Sequence, residues 1–137
     1  MTEPLDHHEA LIYTMVTMSA VDRAITDAEF ARIGEIVSHL PVFASYDGDK
    51  LVAASQGCGE ILGRDDGLQQ MLRLLRATLP EKLRETAYAV AVEVAAADLE
   101  VRPEELRFLA MLRDALDLDK LTTAAIERGI RARNMVL

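Results

Sequence analysis

The chain has 137 residues, a length typical of one domain with its own hydrophobic core. Half of the residues are hydrophobic and 28% are charged, which excludes an intrinsically disordered protein. The net charge of −8 disfavours contact with a phosphate backbone, so we expect no nucleic-acid partner. Cys58 is the single cysteine, so no intrachain disulfide forms and a reducing, cytoplasmic location is expected.

The first forty residues predict two helices with clear boundaries. Asp6 is a suitable N-cap for a helix over 7–21. Thr26 followed by Glu29 gives the capping-box pattern for a second helix, which Pro41 ends. The apolar residues of this second helix recur at helical spacing: Phe30, Ile33, Val37 and Leu40.

The middle of the chain predicts a loop and two helices. Residues 44–50 contain an Asp-Gly-Asp sequence and predict a loop. A helix over 51–62 contains Cys58, which we interpret as a buried small hydrophobe because no basic residue adjoins it in sequence. Another helix carries an apolar stripe from Leu68 to Leu79 and stops at Pro80.

Three further helices are predicted in the C-terminal part, over 81–97, from Pro103 to Leu116, and over 121–134. The first is rich in alanine and valine on nearly all faces, so we expect it to be the central buried helix. Glu93 interrupts this apolar helix. It points outward through a gap, pairs with an arginine or reaches the acidic site of the repeated carboxylates, because burying it unpaired would be costly.

The predicted fold is therefore all-α, with six to seven helices in a single domain over 1–137. No segment shows sustained alternation of apolar and polar residues, so no strand is predicted. We expect neither a signal peptide nor a transmembrane segment, because no apolar stretch is long enough. No glycine-rich phosphate loop or nucleophile elbow is present, and we predict that the protein is not an enzyme.

An internal repeat relates residues 12–40 to residues 88–116 after a shift of 76 positions. Both copies contain the pattern Ala-x-Asp-x-x-Ile/Val-x-x-x-Glu-Phe/Leu. The repeat predicts two similar helix hairpins, related by a pseudo-twofold axis and joined by a helical insert. The acids that both copies keep are Asp22 and Glu29 in the first, and Asp98 and Glu105 in the second.

In each copy the Asp ends one predicted helix and the Glu begins the next. The four carboxylates therefore form a candidate site for a hard divalent cation such as Ca²⁺ or Mg²⁺. A second interpretation needs no metal, because an acid is favourable at a helix start and an Asp side chain can accept backbone hydrogen bonds in a turn. The EF-hand spacing is absent, and His7 and His8 are adjacent on a helix, where their side chains diverge and do not chelate.

The two motifs, at 19–29 and 96–105, resemble those of the tellurite-resistance TerB family and its TerB-like relatives. The usual family form is Ala-Ala-Asp-Gly-x-Ile/Val-x-x-x-Glu, once in each half of an all-α domain. The resemblance covers about residues 8–120. Arg23 and Leu99 stand where the family commonly has Gly, and both resist the left-handed turn that Gly permits, so the turn geometry should differ.

The resemblance implies a cytoplasmic protein of tellurite or general stress resistance that binds divalent cations. It also implies protein partners within a membrane-associated complex. A related domain occurs in membrane-anchored J-domain co-chaperones, which implies an alternative function. In that alternative the chain is a protein–protein interaction module, a co-chaperone or membrane-complex adaptor without a metal site.

Overall fold

The computed structural model describes residues 5–21, 24–96 and 102–137. In these ranges the chain forms seven α-helices and no strand, which confirms the all-α prediction. The helices are α1 (His7–Ala20), α2 (Asp27–His39), α3 (Leu51–Leu62), α4 (Gly67–Thr78), α5 (Arg84–Ala95), α6 (Pro103–Ala115) and α7 (Lys120–Arg133). Short 3₁₀ helices cover Pro41–Phe43, Gly48–Lys50 and Glu81–Leu83.

Helices α1 and α5 form the centre of the core and pack along each other. Every side chain of α1 from Leu11 to Ser19 is buried, so this helix has no solvent face over more than two turns. Helix α5 contacts α1, α2, α6 and α7, as expected for a predicted central helix. The sequence did not indicate that α1 shares this position.

The helix contacts follow the internal repeat. The hairpin α1–α2 corresponds to the hairpin α5–α6. Helix α2 contacts α5 in the same way that its counterpart α6 contacts α1. Helix α3 packs on α1, as α7 packs on α5, and α3 and α4 form the helical insert between the hairpins. The contacts are therefore those expected if an approximate twofold axis relates one hairpin to the other.

Local signals explain where these helices begin and end. The side chain of Asp6 accepts a 2.8 Å hydrogen bond from the N–H of Glu9 at the start of α1. Pro103 occupies the first turn of α6, where its missing N–H costs nothing. The predicted helix over 81–97 differs, because it opens with a 3₁₀ turn at Glu81–Leu83 and its regular part ends at Ala95.

Candidate functional site

An ion pair joins the first half of α2 to the last turn of α5. Arg32, near the start of α2, forms a 3.6 Å ion pair with Glu93, near the end of α5. The start of α2 adjoins the turn after α1, and the end of α5 adjoins the turn before α6. The ion pair therefore holds the first half of α2 against the end of α5.

Glu29 is buried and fixed at the start of α2. It is 2% exposed. Its Oε1 accepts a 2.9 Å hydrogen bond from the backbone N–H of Thr26 and a 3.1 Å bond from the Thr26 hydroxyl. The N–H of Glu29 donates back to Thr26 Oγ1 at 3.1 Å, which completes the predicted capping box.

Glu105 occupies the equivalent place in the second copy. It is 3% exposed, and its Oε1 accepts a 3.0 Å hydrogen bond from the backbone N–H of Arg102. In the first copy the Thr26 hydroxyl accepts a bond from the Glu29 N–H. An arginine side chain has no acceptor atom, so Arg102 cannot accept the equivalent bond in the second copy. Both glutamates thus sit at a helix start, where the helix dipole favours an acid.

Asp22 and Asp98, the other two acids of the predicted metal site, lie outside the described residues. Across 5–21, 24–96 and 102–137, no group of three or more His, Cys, Asp or Glu side chains converges in a way that could hold a metal ion. The four-carboxylate site therefore remains a prediction. The structure places Glu29 and Glu105, and their burial and backbone bonds fit a capping role.

A groove of about 760 Å³ lies between α2, α5 and α7. Its apolar lining comes mainly from five side chains: Ile36, Leu40, Val90, Ile126 and Ile130. Sequence reasoning missed this groove, because it arises where the faces of three helices meet and no local pattern records that meeting. A volume of this size falls in the range of small-molecule sites, about 300–1,000 Å³.

Glu93 lies at the edge of this groove and is held by two arginines. Its Oε1 accepts a 3.0 Å hydrogen bond from Arg133 of α7, and its Oε2 pairs with Arg32 of α2. The Glu93 side chain is only 13% exposed. Of the interpretations of Glu93, pairing with arginine is confirmed, and its two ion pairs join α2, α5 and α7.

Comparison with protein-family models identifies the family of the chain. The model described as tellurite resistance protein TerB matches residues 8–128. The chain belongs to the TerB family. Comparison of this TerB-family chain with curated proteins and with solved structures gave no significant match. Among the described residues of this TerB protein, none of the helices has the length and apolar character needed to cross a bilayer.

Two apolar residues of the TerB repeat face solvent. Phe30 is 37% exposed and Leu106 is 54% exposed, at matching positions immediately after Glu29 and Glu105. The first turn of α2 keeps the helical spacing, but Phe30 is not covered there as Ile33 is one turn later.

Cys58 of this TerB protein is structural. The thiol is fully buried, donates to the Tyr13 carbonyl oxygen at 3.6 Å and lies 3.5 Å from Thr17 Oγ1. Burial raises the pKa of Cys58 from 9.0 to about 11, which suppresses the reactive thiolate. The interpretation of Cys58 as a buried small hydrophobe is confirmed.

The adjacent histidines have no metal-ligating geometry with a third described residue. The Nε2 atom of His8 lies 2.8 Å from the Val42 carbonyl oxygen, and its ring stacks on Phe43 with centroids 5.6 Å apart. His8 therefore joins the start of α1 to the 3₁₀ turn after α2. This role is one of packing.

Proposed function

We propose that this TerB-family protein acts in the cytoplasm in resistance to tellurite or related chemical stress. In this proposal it is a non-enzymatic domain that binds a divalent cation, Ca²⁺ or Mg²⁺, through Asp22, Glu29, Asp98 and Glu105. The family match over residues 8–128 supports the resistance function. One structural observation supports the site: both repeated glutamates are buried and held by backbone hydrogen bonds at the starts of their helices.

The chemistry of the four acids fits a hard cation. Ca²⁺ and Mg²⁺ prefer carboxylate oxygens. Carboxylates held close together repel one another unless a cation neutralises them. Glu29 and Glu105 each accept a backbone hydrogen bond from the N-cap residue of their helix, which fixes the position of each carboxylate. The glutamates have a capping role in any case, so Asp22 and Asp98 are the residues that distinguish metal binding from capping.

Thermal unfolding with and without metal tests the proposal. Protein stripped with EDTA should gain stability when Ca²⁺ or Mg²⁺ is added, by roughly 2.7 kcal/mol at a concentration one hundred times the dissociation constant. The double variant Asp22→Asn with Asp98→Asn should keep its metal-free fold and lose this gain. An unchanged melting temperature of the wild type at millimolar free metal would contradict the proposal.

A matched double variant controls for general charge effects. Asp47 and Asp49 are exposed acids of the short 3₁₀ turn before α3, and their replacement by Asn removes the same two charges. The Asp47→Asn/Asp49→Asn protein should respond to metal as the wild type does. If it loses the response equally, the metal acts by screening the net charge and the site assignment is wrong.

The exposed pair Phe30 and Leu106 favours a second candidate function. Exposed apolar residues at equivalent positions of a repeat suit contact with a protein partner, as in a co-chaperone or membrane-complex adaptor. In that case a partner should be recovered in pull-downs with EDTA present, and Phe30→Ser with Leu106→Ser should lose it. Recovery that requires added metal would count against this second function.

A further inference from the structure

We propose that the groove between α2, α5 and α7 binds a small amphipathic acid. The apolar body of the ligand would lie on the isoleucine, leucine and valine side chains of the groove. Its acidic group would lie at the end marked by Arg32, Glu93 and Arg133. This proposal does not depend on cation binding, because it uses none of the four repeated acids.

The apolar lining is the first part of the argument. Ile36, Leu40 and Ile126 are only half-buried although they pack against the hydrophobic core. Together with Val90 and Ile130 they line a cavity of about 760 Å³. Removing such surface from water stabilises a complex by about 25 cal/mol for each Å² buried. The groove can therefore bind an apolar body of small-molecule size.

The charge at one end is the second part. Glu93 is a single carboxylate shared by two guanidinium groups, so these three side chains keep a charge of +1. Arg133 is 76% exposed and can turn toward a ligand while Arg32 remains on Glu93. Glu35 also lines the groove at an exposed position of α2, and its carboxylate brings the formal charge of Arg32, Glu35, Glu93 and Arg133 together to zero. The net positive charge is therefore local to the arginine end. A ligand with one acidic group complements the arginine end, and guanidinium groups bind carboxylate and sulfonate oxygens well.

Two dyes that differ only in the acidic group test both parts. The probe 8-anilinonaphthalene-1-sulfonate has an aromatic body and one sulfonate, and N-phenyl-1-naphthylamine has the same body without it. We expect one molecule of the sulfonate dye to bind per chain in a saturable manner. The fluorescence of the dye measures this binding. The neutral dye should bind in the same groove with lower affinity.

A glycine in the groove allows a blocking variant that should still fold. Gly129 lines the groove on α7, and a Cβ added there meets no atom within 4 Å. Gly129→Leu should weaken binding of both dyes at least about tenfold. Gly59→Leu is the matched control, because Gly59 is also helical, exposed and open to a Cβ but lies on α3 outside the groove. It should bind as the wild type does.

A second pair of variants tests the headgroup. Arg133→Gln should weaken the sulfonate dye about two- to fivefold, as expected for an exposed ion pair, and leave the neutral dye unchanged. Arg131→Gln removes the same charge from the same helix at an exposed residue that does not line the groove. Arg131→Gln should leave the affinity for both dyes unchanged.

Several outcomes would overturn the proposal. The proposal is wrong if the sulfonate dye shows no saturable binding. It is also wrong if Gly129→Leu and Gly59→Leu lose dye affinity equally, or if Arg133→Gln and Arg131→Gln lose affinity for the sulfonate dye equally. A dimer seen by analytical ultracentrifugation that Gly129→Leu dissociates would assign the groove to a second copy of the chain instead. Dye binding should persist in EDTA, so failure here and failure of the cation proposal are separate results.

Discussion

At the scale of single residues, two glycines show how differently the same residue type is used. A Cβ on Gly67 would lie 2.5 Å from the carbonyl oxygens of Ile61 and Leu62, so the end of α3 and the start of α4 meet only because no side chain intervenes. Gly59 has no atom within 4 Å of its added Cβ. Gly67→Ala should therefore destabilise the protein by about 1–3 kcal/mol. Gly59→Ala should stabilise it by about 0.5–1 kcal/mol.

Urea unfolding of the two alanine variants measures both effects. The midpoints should move in opposite directions with an unchanged slope, since neither substitution alters the surface exposed on unfolding. Equal shifts of the same sign would mean that helix propensity alone decides the outcome and that the close approach at Gly67 is relieved by movement of the chain.

Individual residues also show what the sequence could predict. Glu29 was assigned to a capping box, and its position is confirmed, because capping depends on neighbours within four residues. Phe30, the next residue, has the same helical spacing as the buried Ile33 and Val37, yet it is exposed. Burial of a helical residue depends on which other helix covers it, and the spacing of Phe30 contains no information on that.

At the scale of the helix, the capping box of α2 should contribute measurably to the free energy of unfolding. Thr26→Ala removes the acceptor for the Glu29 N–H and the hydroxyl that donates to Glu29 Oε1. Loss of such a cap costs about 0.5–2 kcal/mol. Urea unfolding in EDTA should show this loss, and hydrogen exchange should increase in the first turn of α2.

Thr26→Ser is the matched control, because serine keeps the hydroxyl and caps helices as well as threonine does. It should restore nearly all of the stability lost in Thr26→Ala. An equal loss in both variants would locate the effect in the threonine methyl group and contradict the capping role of the hydroxyl.

Helix boundaries were the most predictable part of the fold. Asp6, Thr26, Pro41 and Pro103 act on the chain next to them, so the sequence predicted the helices they delimit to within a few residues. The groove was not predictable in this way. Its lining comes from three helices that are far apart in the chain, and the Arg133–Glu93 contact joins residues 40 positions apart. Contacts of that kind depend on tertiary packing.

At the scale of the whole molecule, a thiol and a phenol hydroxyl are buried at two equivalent helix contacts. Cys58 lies where α3 packs on α1, and Tyr88 lies where α7 packs on α5. Burial raises the pKa of Cys58 to about 11. Burial, together with Glu127, whose carboxylate accepts a 3.2 Å hydrogen bond from the Tyr88 hydroxyl, raises the pKa of Tyr88 to about 12. Ionisation of either group therefore costs folding stability.

The protein should lose stability in alkali for this reason. A raised pKa means that the folded state holds a proton that the unfolded state releases, so the stabilisation is complete below the unfolded value. For Cys58 this stabilisation is lost as the pH rises from about 9 through about 11. The loss should be about 1–3 kcal/mol, since each pKa unit corresponds to roughly 1.4 kcal/mol. Urea unfolding across this pH range measures it.

Cys58→Ala separates the thiol from the tyrosines. The variant should be less stable than the wild type at neutral pH, because it leaves a small cavity between α1 and α3. Its stability should fall less steeply between pH about 9 and about 11, because the buried thiol no longer titrates. Tyr88→Phe should instead flatten the decline above pH about 10, where an ordinary tyrosine begins to ionise. Parallel decline of the wild type and Cys58→Ala would show that the buried thiol does not set the alkaline limit of this fold.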